Sequence, residues 1–185
     1  MKLKRHIILI SAIALVTFIF WSCEKDDICS EATATTPHLI IRFYDINNQD
    51  NTKQVRQLEI KGLDDNEIPV EGNPILARTN TDSILLPLRF QEEGVITTTR
   101  FELKKDADFG DNENPNNDFN IDILEVRYTP EFIYVSRACG YKSIFDIGTT
   151  GGISRDMDDS NWITNFEILN ETIDNENAAQ IIIYH

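Results

Sequence analysis

Oxygen-bearing side chains recur with regular spacing in one twelve-residue segment of this chain. Asp156, Asp158, Ser160, Thr164 and Glu167 fall at positions 1, 3, 5, 9 and 12 of that segment. These are the positions from which carboxylate and hydroxyl oxygens surround calcium in a loop of that length. The spacing therefore suggests a calcium site.

The residues around this segment do not fit an EF-hand, in which two helices flank the calcium loop. Gly148, Gly151 and Gly152 precede it, and residues 162–169 are more typical of a strand. A second acidic stretch, residues 106–122, contains five Asp, one Glu and five Asn, and is either a cation site or a solvated loop. No cofactor is predicted for the chain, with calcium as the alternative.

Residues suited to catalysis are sparse. His6 falls in the apolar start of the chain, whereas His38 and His185 stand near opposite ends of the remainder. No serine has the Gly-x-Ser-x-Gly spacing of a nucleophile elbow, and Gly151-Gly152 lacks the lysine of a phosphate-binding loop. The sequence favours a function other than catalysis, with an enzyme as an alternative.

Cys23 stands where an apolar segment gives way to charge. Residues 7–20 are almost entirely apolar and follow a basic start. They have the length of a signal-peptide core and fall short of the roughly 20 residues that cross a membrane. Ser22 before Cys23 resembles the lipobox of bacterial lipoproteins, although Trp21 departs from it. The resemblance implies that residues 1–22 are removed and that Cys23 is acylated; an ordinary secreted protein and an uncleaved anchor are the alternatives.

Cys29 and Cys139 remain if Cys23 carries lipid. Disulfides persist in exported, oxidising compartments, so an even pair favours a bridge. A bridge would close a loop of about 110 residues, which the chain-entropy model associates with about 4.7 kcal/mol of stability. Two unpaired thiols are the alternative.

Two short motifs bear on export. Lys25, Asp26 and Asp27 follow Cys23 and resemble the charged signal that sends Bacteroidetes lipoproteins to the outer face of the outer membrane; a solvated tether is the alternative. An Asp-Ser-Ile motif around Ser83 resembles an O-glycosylation signal of exported Bacteroidetes proteins. The alternative is a serine that opens a strand.

The chain is acidic, with 31 Asp and Glu against 17 Lys and Arg and a net charge of −14. Removal of residues 1–22 would take away three basic residues and no acidic one, which changes the charge to −17. Such a surface repels nucleic acid, so DNA and RNA are not expected partners. The predicted partners are the membrane, through the acyl chains on Cys23, and an outer-membrane protein.

Short runs rich in β-branched and aromatic residues follow residue 37, separated by Asn, Asp, Gly and Pro, as is typical of strands. Apolar and polar residues alternate within residues 55–63 and 121–128, which indicates half-buried antiparallel strands. Thr129-Pro130-Glu131 is predicted to be a hairpin turn. The nine runs cover residues 39–46, 55–63, 83–90, 95–104, 121–128, 132–138, 141–147, 162–169 and 179–185.

Eight or nine short strands without helical crossovers predict an all-β fold, an antiparallel two-sheet β-sandwich, with a closed barrel as the alternative. The predicted organisation is a lipoprotein signal peptide over residues 1–22, a polar lipid tether over 23–37 and a single β-sandwich domain over 38–185.

Two segments resemble an uncharacterised family of Bacteroidetes lipoproteins that is known only as a domain of unknown function. They are "DICSEATATTPHLIIRFYD" (27–45) and "SRACGYKSIF" (136–145), and the second is followed by "WITNFEIL" and "IIIYH". The resemblance covers nearly the whole mature chain and implies a cell-envelope location and a β-rich fold. It places Cys29 and Cys139 in the family's motifs and implies no activity.

These observations favour a lipid-anchored cell-envelope protein, attached to the outer membrane and facing outward, that acts as a binding or assembly module. The alternatives are a calcium-stabilised adhesion or glycan-binding domain and an envelope enzyme.

Overall fold

The computed structural model describes residues 28–29, 35–110, 117–148, 152–157 and 160–185. These residues form twelve strands and contain no helix; accordingly, they include no helix of the length and apolarity needed to span a bilayer. The strands are β1 (Leu39–Asp45), β2 (Asn48–Thr52), β3 (Val55–Leu63), β4 (Leu76–Thr81), β5 (Ser83–Leu86), β6 (Thr97–Lys105), β7 (Asn120–Ser136), β8 (Gly140–Asp146), β9 (Ile153–Arg155), β10 (Asn165–Ile168), β11 (Thr172–Ile173) and β12 (Ile181–Tyr184).

The strands are organised in two sheets. The first has the order β10-β12-β1-β2, and β5 also pairs with β1; the second has the order β11-β8-β7-β6-β3-β4, and β9 also pairs with β7. The all-β, two-sheet prediction is confirmed. The expectation of antiparallel pairing has one exception, because β1 and β12 run parallel, with Ile41 opposite Ile181.

The alternation of side chains along the strands builds the core. Leu58 and Ile60 of β3 are buried, as are Leu124, Val126 and Tyr128 of β7. Full burial of one large aliphatic side chain stabilises a fold by about 1.5–3 kcal/mol, so this cluster is the main source of stability. The first sheet contributes Leu39, Ile41 and Phe43 from β1 and Ile181 and Ile183 from β12.

The prediction of a hairpin turn at Thr129-Pro130-Glu131 is wrong, because β7 continues through it. Pro130 lies beyond Tyr128, the last residue of β7 that pairs with β6. Its missing N–H therefore removes no bond from that ladder. Pro130 also follows the alternation of the strand, in which every second side chain is buried, since it is buried like Val126 and Tyr128 before it.

Several strands differ from the predicted runs. β5 ends at Leu86, before Pro87, which has no N–H to donate to a ladder. β10 begins only at Asn165, because the residues before it are held by side chains described below. β2, β4, β9 and β11 have no predicted counterpart; β2 and β4 are mostly exposed, so their sequences carry little apolar signal.

The described residues fall into two compact units. The smaller unit contains residues 28–29 and 134–141, and within it a disulfide joins Cys29 to Cys139, whose Cα atoms are 4.9 Å apart. The larger unit contains the other described residues and the core cluster.

Candidate functional site

A cleft of about 280 Å³ opens beside β3 and β6 in the larger unit. Its walls are mainly apolar, yet three basic side chains also line it. In a chain of net negative charge, this combination of apolar and basic residues distinguishes the cleft from the rest of the surface. The lining residues are Lys61, Gly62, Leu63, Val70, Glu71, Asn73, Ile75, Pro87, Leu88, Arg89, Thr99, Arg100 and Phe101.

The connection between β3 and β4 forms one wall of the cleft. Oδ1 of Asp64 accepts the backbone N–H groups of Ile68 (2.8 Å) and Asn66 (2.9 Å), which fixes the turn that follows β3. These backbone hydrogen bonds, that from Ile68 first, hold the pKa of Asp64 below its usual value. The connection returns to the sheet where Ile75 donates its N–H to the carbonyl of Ile60 at 2.8 Å.

Three apolar side chains of this connection remain exposed. Ile68 is 58% exposed, Val70 is 61% exposed and Ile75 is 38% exposed. Apolar groups clustered around a concave site are typical of a binding surface.

Arg89 is held at the cleft from several sides. Its backbone N–H donates to Oγ1 of Thr99 (3.3 Å), and its carbonyl accepts the hydroxyl of Tyr128. Its Nη2 donates to the carbonyl of Thr98 (2.7 Å) and to Oδ1 of Asp65 (3.0 Å). These bonds fix Arg89 before any ligand arrives.

Tyr128 connects Arg89 to the core. Its ring is fully buried and packs edge-to-face against Phe145, with the centroids 5.2 Å apart. Its oxygen also lies 2.6 Å from Oγ1 of Thr99. Burial raises the pKa of Tyr128, so its hydroxyl stays protonated and donates to Arg89 at neutral pH.

Arg89 retains a donor that the described residues do not use. Its Nε is buried and finds no hydrogen-bond partner within the described part of the chain. A buried donor without a partner costs about 1–3 kcal/mol, and a ligand would reach this nitrogen only if the side chain moved, whereas Nη2 is bonded to an exposed carboxylate. The side chain of Asp65 is 78% exposed, and an ion pair this open to water is worth about 0–1 kcal/mol, so a ligand can replace it.

The other two basic side chains of the cleft have acidic partners. Arg100 lies 2.7 Å from Oε2 of Glu125 and 3.8 Å from Oε1 of Glu67. Lys61 lies 3.3 Å from Oε1 of Glu59. These pairs reduce the net charge of the cleft, so Arg89 is its best-placed donor.

A second cavity of about 340 Å³ has an acidic lining. Oε1 of Glu93 accepts the N–H of Phe132 (3.1 Å), and Oδ1 of Asp146 accepts the N–H of Gly148 (2.9 Å). Two of its carboxylates therefore already bind backbone. The lining residues are Glu93, Gly94, Thr129, Pro130, Glu131, Ile144, Asp146 and Thr172.

Three of the five predicted calcium ligands, Asp156, Ser160 and Thr164, lie between β9 and β10. Asp156 and Ser160 are exposed, whereas Asp158 lies outside the described residues. Glu167 belongs to β10, and its Oε2 accepts the hydroxyl of Tyr184 at 2.6 Å. Thr164, the fifth predicted ligand, is exposed. The described residues contain no group of three or more His, Cys, Asp or Glu that could hold a metal ion, and the calcium site stays a prediction.

Asp122 positions the segment between these strands. It is 1% exposed, and its carboxylate accepts the backbone N–H groups of Ile163 (2.8 Å) and Trp162 (3.4 Å) and the amide of Asn161 (3.3 Å). These bonds hold residues 161–163 against a side chain of β7, and β10 begins only at Asn165. Asp122 therefore has a structural role.

The rest of the acidic stretch is described only in part, because residues 111–116 lie outside the described residues. Nη1 of Arg56 donates to Oδ1 of Asp106 and to Oδ1 of Asp108, each at 2.8 Å. The guanidinium also lies over the ring of Phe109, 4.4 Å from its centroid. These contacts make a local charged cluster in which both acids already have a cation.

The two histidines of the described chain have separate environments. Nδ1 of His38 lies 2.7 Å from Oε1 of Glu176 at the surface. The backbone hydrogen bond from His38 is the main cause that lowers the pKa of Glu176. His185 is buried, with its ring edge-to-face with Phe43 and Trp162. Burial lowers the pKa of His185.

The remaining predicted sites concern export. Ser83 is half-buried as the first residue of β5, opposite Arg42 of β1, and its glycosylation stays a prediction. Acylation and surface export also stay predictions, because their residues lie outside the described chain: Cys23, Lys25, Asp26 and Asp27.

The sequence did not indicate the cleft, because its lining comes from four separate segments. The one local signal was the set of apolar residues in the connection after β3, where Pro69, Gly72 and Pro74 argue against a strand. The residues next to Arg89 in the sequence carry no pattern that predicts their contact with the connection after β3.

Comparison with protein families gives a match. The family model described as "Family of unknown function (DUF6452)" matches residues 57–185, more than half of the chain. The match includes the whole cleft and Cys139. Comparisons with curated proteins and with solved structures give no match.

Proposed function

The chain belongs to the DUF6452 family of unknown function, and from this premise we propose that it is a lipid-anchored binding module of the cell envelope. Acyl chains on Cys23 hold it on the outer membrane, and the charged residues that follow direct it to the outer face. The cleft beside β3 and β6 binds an apolar side chain of a partner protein, next to a backbone carbonyl of that protein.

The observation that carries the proposal is the pairing of apolar walls with Arg89, whose Nη2 is held by an exposed ion pair with Asp65 that a partner can replace. The cleft is near the lower end of the roughly 300–1,000 Å³ of ligand pockets, a size that suits one side chain of a partner. The exposed residues Ile68 and Val70 beside it supply further apolar contact area. A carbonyl oxygen of the partner accepts from Nη2 of Arg89 in place of Asp65 without adding negative charge to an acidic protein.

Photo-crosslinking in intact cells tests the binding role. A photoreactive residue at Val70 should yield a covalent adduct of discrete size, whereas the same residue at Leu169, which is 53% exposed, should yield none. Ile75→Glu in the Val70 background should abolish the adduct, because it introduces a carboxylate into the apolar wall. Equal adducts from Val70 and Leu169 would reject the cleft as the binding site.

Two experiments test the lipid anchor and the face of the outer membrane on which the protein is displayed. Labelled palmitate should enter the natural chain and be absent from Cys23→Ser; equal labelling of both would contradict acylation. Replacement of Lys25, Asp26 and Asp27 by alanine should leave labelling intact and protect the protein from protease added to whole cells. Unchanged digestion of the triple variant would show that these charges only solvate the tether.

A further inference from the structure

The smaller unit carries an exposed tip that a disulfide joins to Cys29, six residues after the proposed anchor Cys23. Residues 134–141, here called the tip, comprise the end of β7, the connection that follows it and the start of β8. Oγ of Ser136 accepts the N–H of Cys139 at 3.0 Å, and Gly140 takes the positive φ of 69° that a tight turn requires. The disulfide then ties the tip to Cys29.

The tip presents aromatic rings to the solvent. Tyr134 is 55% exposed and Tyr141 is 69% exposed, and their rings meet edge-to-face with centroids 5.5 Å apart. Ile28, which precedes the bridged cysteine, is 85% exposed. Tyrosine joins an apolar ring to a polar hydroxyl, and for this reason it is enriched where a membrane meets water.

The charge of the tip differs from that of the whole chain. Residues 134–141 contain Arg137 and no Asp or Glu, in a protein of net charge −14. Arg137 is exposed, and a guanidinium binds phosphate oxygens through paired N–H donors. The tip therefore avoids the repulsion from anionic headgroups that the rest of the surface would experience.

The length of chain before the bridge limits how far the tip can stand from the acyl chains. Cys29 follows Cys23 by six residues, which span about 20 Å at most when fully extended. The headgroup region on each side of the hydrocarbon is roughly 5–8 Å thick. The bridge keeps the tip within this reach, at a high effective concentration relative to the bilayer surface.

We propose that the tip docks on the headgroup region of the same membrane that holds Cys23, with Tyr134 and Tyr141 as interfacial anchors and Arg137 on lipid phosphate. The inference rests on the proposed acylation of Cys23. Docking turns a single lipidated residue into an attachment at two points and fixes the orientation of the disulfide-tied unit on the bilayer.

Quenching by brominated lipid tests the docking. The acylated mature protein carrying Tyr134→Trp is reconstituted in phosphatidylcholine vesicles, with and without bromine in the upper part of one acyl chain. Bromine should reduce the added emission at least twofold. The natural protein, whose mature chain contains only the buried Trp162, should change little. Removal of the bridge by Cys29→Ser with Cys139→Ser should abolish most of the quenching.

Trypsin provides a second readout that needs no loss of the bridge. Cleavage after Arg137 should be several-fold slower on vesicles than in detergent. Tyr134→Ser with Tyr141→Ser should remove that protection. A protein that fails to float with vesicles overturns the acyl anchor and this inference with it. A protein that floats, yet shows neither quenching nor protection, overturns the inference alone.

Discussion

Tyr128→Phe removes one hydroxyl from the core and leaves the aromatic ring in place. The ring keeps its edge-to-face contact with Phe145, so the loss is confined to hydrogen bonds. The hydroxyl donates to the carbonyl of Arg89 and also pairs with Thr99. The change therefore tests whether the core holds Arg89 at the cleft.

The expected loss of stability is about 2–4 kcal/mol. The carbonyl of Arg89 loses the hydroxyl donor, and an acceptor left buried without a partner costs about 1–3 kcal/mol. Oγ1 of Thr99 still accepts the N–H of Arg89, so its lost bond to Tyr128 adds only the net value of one hydrogen bond, about 1 kcal/mol. For a domain of this size, the midpoint of thermal unfolding should fall by about 5–15 °C.

Urea unfolding of the natural and variant proteins measures this loss, and the slope of free energy against urea should not change. Tyr134→Phe is the matched control, because it removes the same hydroxyl from an exposed side chain and should change stability by less than about 0.5 kcal/mol. If Tyr128→Phe is also within that range of the natural protein, the reasoning about the buried hydroxyl is refuted.

Three further predictions concern other contacts. Asp122→Ala should lower the free energy of unfolding by about 2–3 kcal/mol, because the N–H of Ile163 loses a charged acceptor; a loss below 0.5 kcal/mol, on the order of a surface change, would contradict this. The pKa of His185 is lowered by burial from 6.5, so the unfolded chain takes up a proton at a higher pH than the folded protein. Stability is then lost as pH falls below about 6.5, and between about pH 7 and pH 5 the free energy of unfolding of His185→Phe should fall less than that of the natural protein. An equal fall in the two proteins, measured by urea unfolding at both pH values, would contradict the assignment. Cys29→Ser with Cys139→Ser opens a loop of sequence separation 110 and should cost up to about 4.7 kcal/mol; free thiols at both positions in the natural protein would remove the basis for it.

The sequence predicted strands best where one face of the strand meets the core. The run of residues 55–63 coincides with β3, since Leu58 and Ile60 alternate with polar neighbours. Polar strands such as β4 gave no such signal, because their backbone pairs while their side chains stay in water. Pro130 misled the prediction because a proline is compatible with a turn and also with a strand position that has no ladder to join.

The disulfide could be predicted from the sequence, whereas the cleft could not. The bridge was predicted from a count of cysteines and from a predicted exported compartment, neither of which requires knowledge of the fold. The cleft depends on where the chain places Arg89 relative to the connection after β3. That placement is set by Tyr128 and Thr98, which lie on two different strands, so it follows from tertiary packing and has no local pattern.

The parallel pairing of β1 with β12 also determines the order in which the protein can be completed. Ile41 pairs with Ile181 and Tyr44 with Tyr184, so this ladder can form only after almost the whole chain has been synthesised, whereas the ladders of β1 with β2 and β5 need residues up to 86 alone. Contacts between residues so distant in sequence form slowly. The first sheet therefore stays incomplete until β12 is available, and during that interval the edge of β1 that β12 covers has unpaired backbone groups, as an edge strand does.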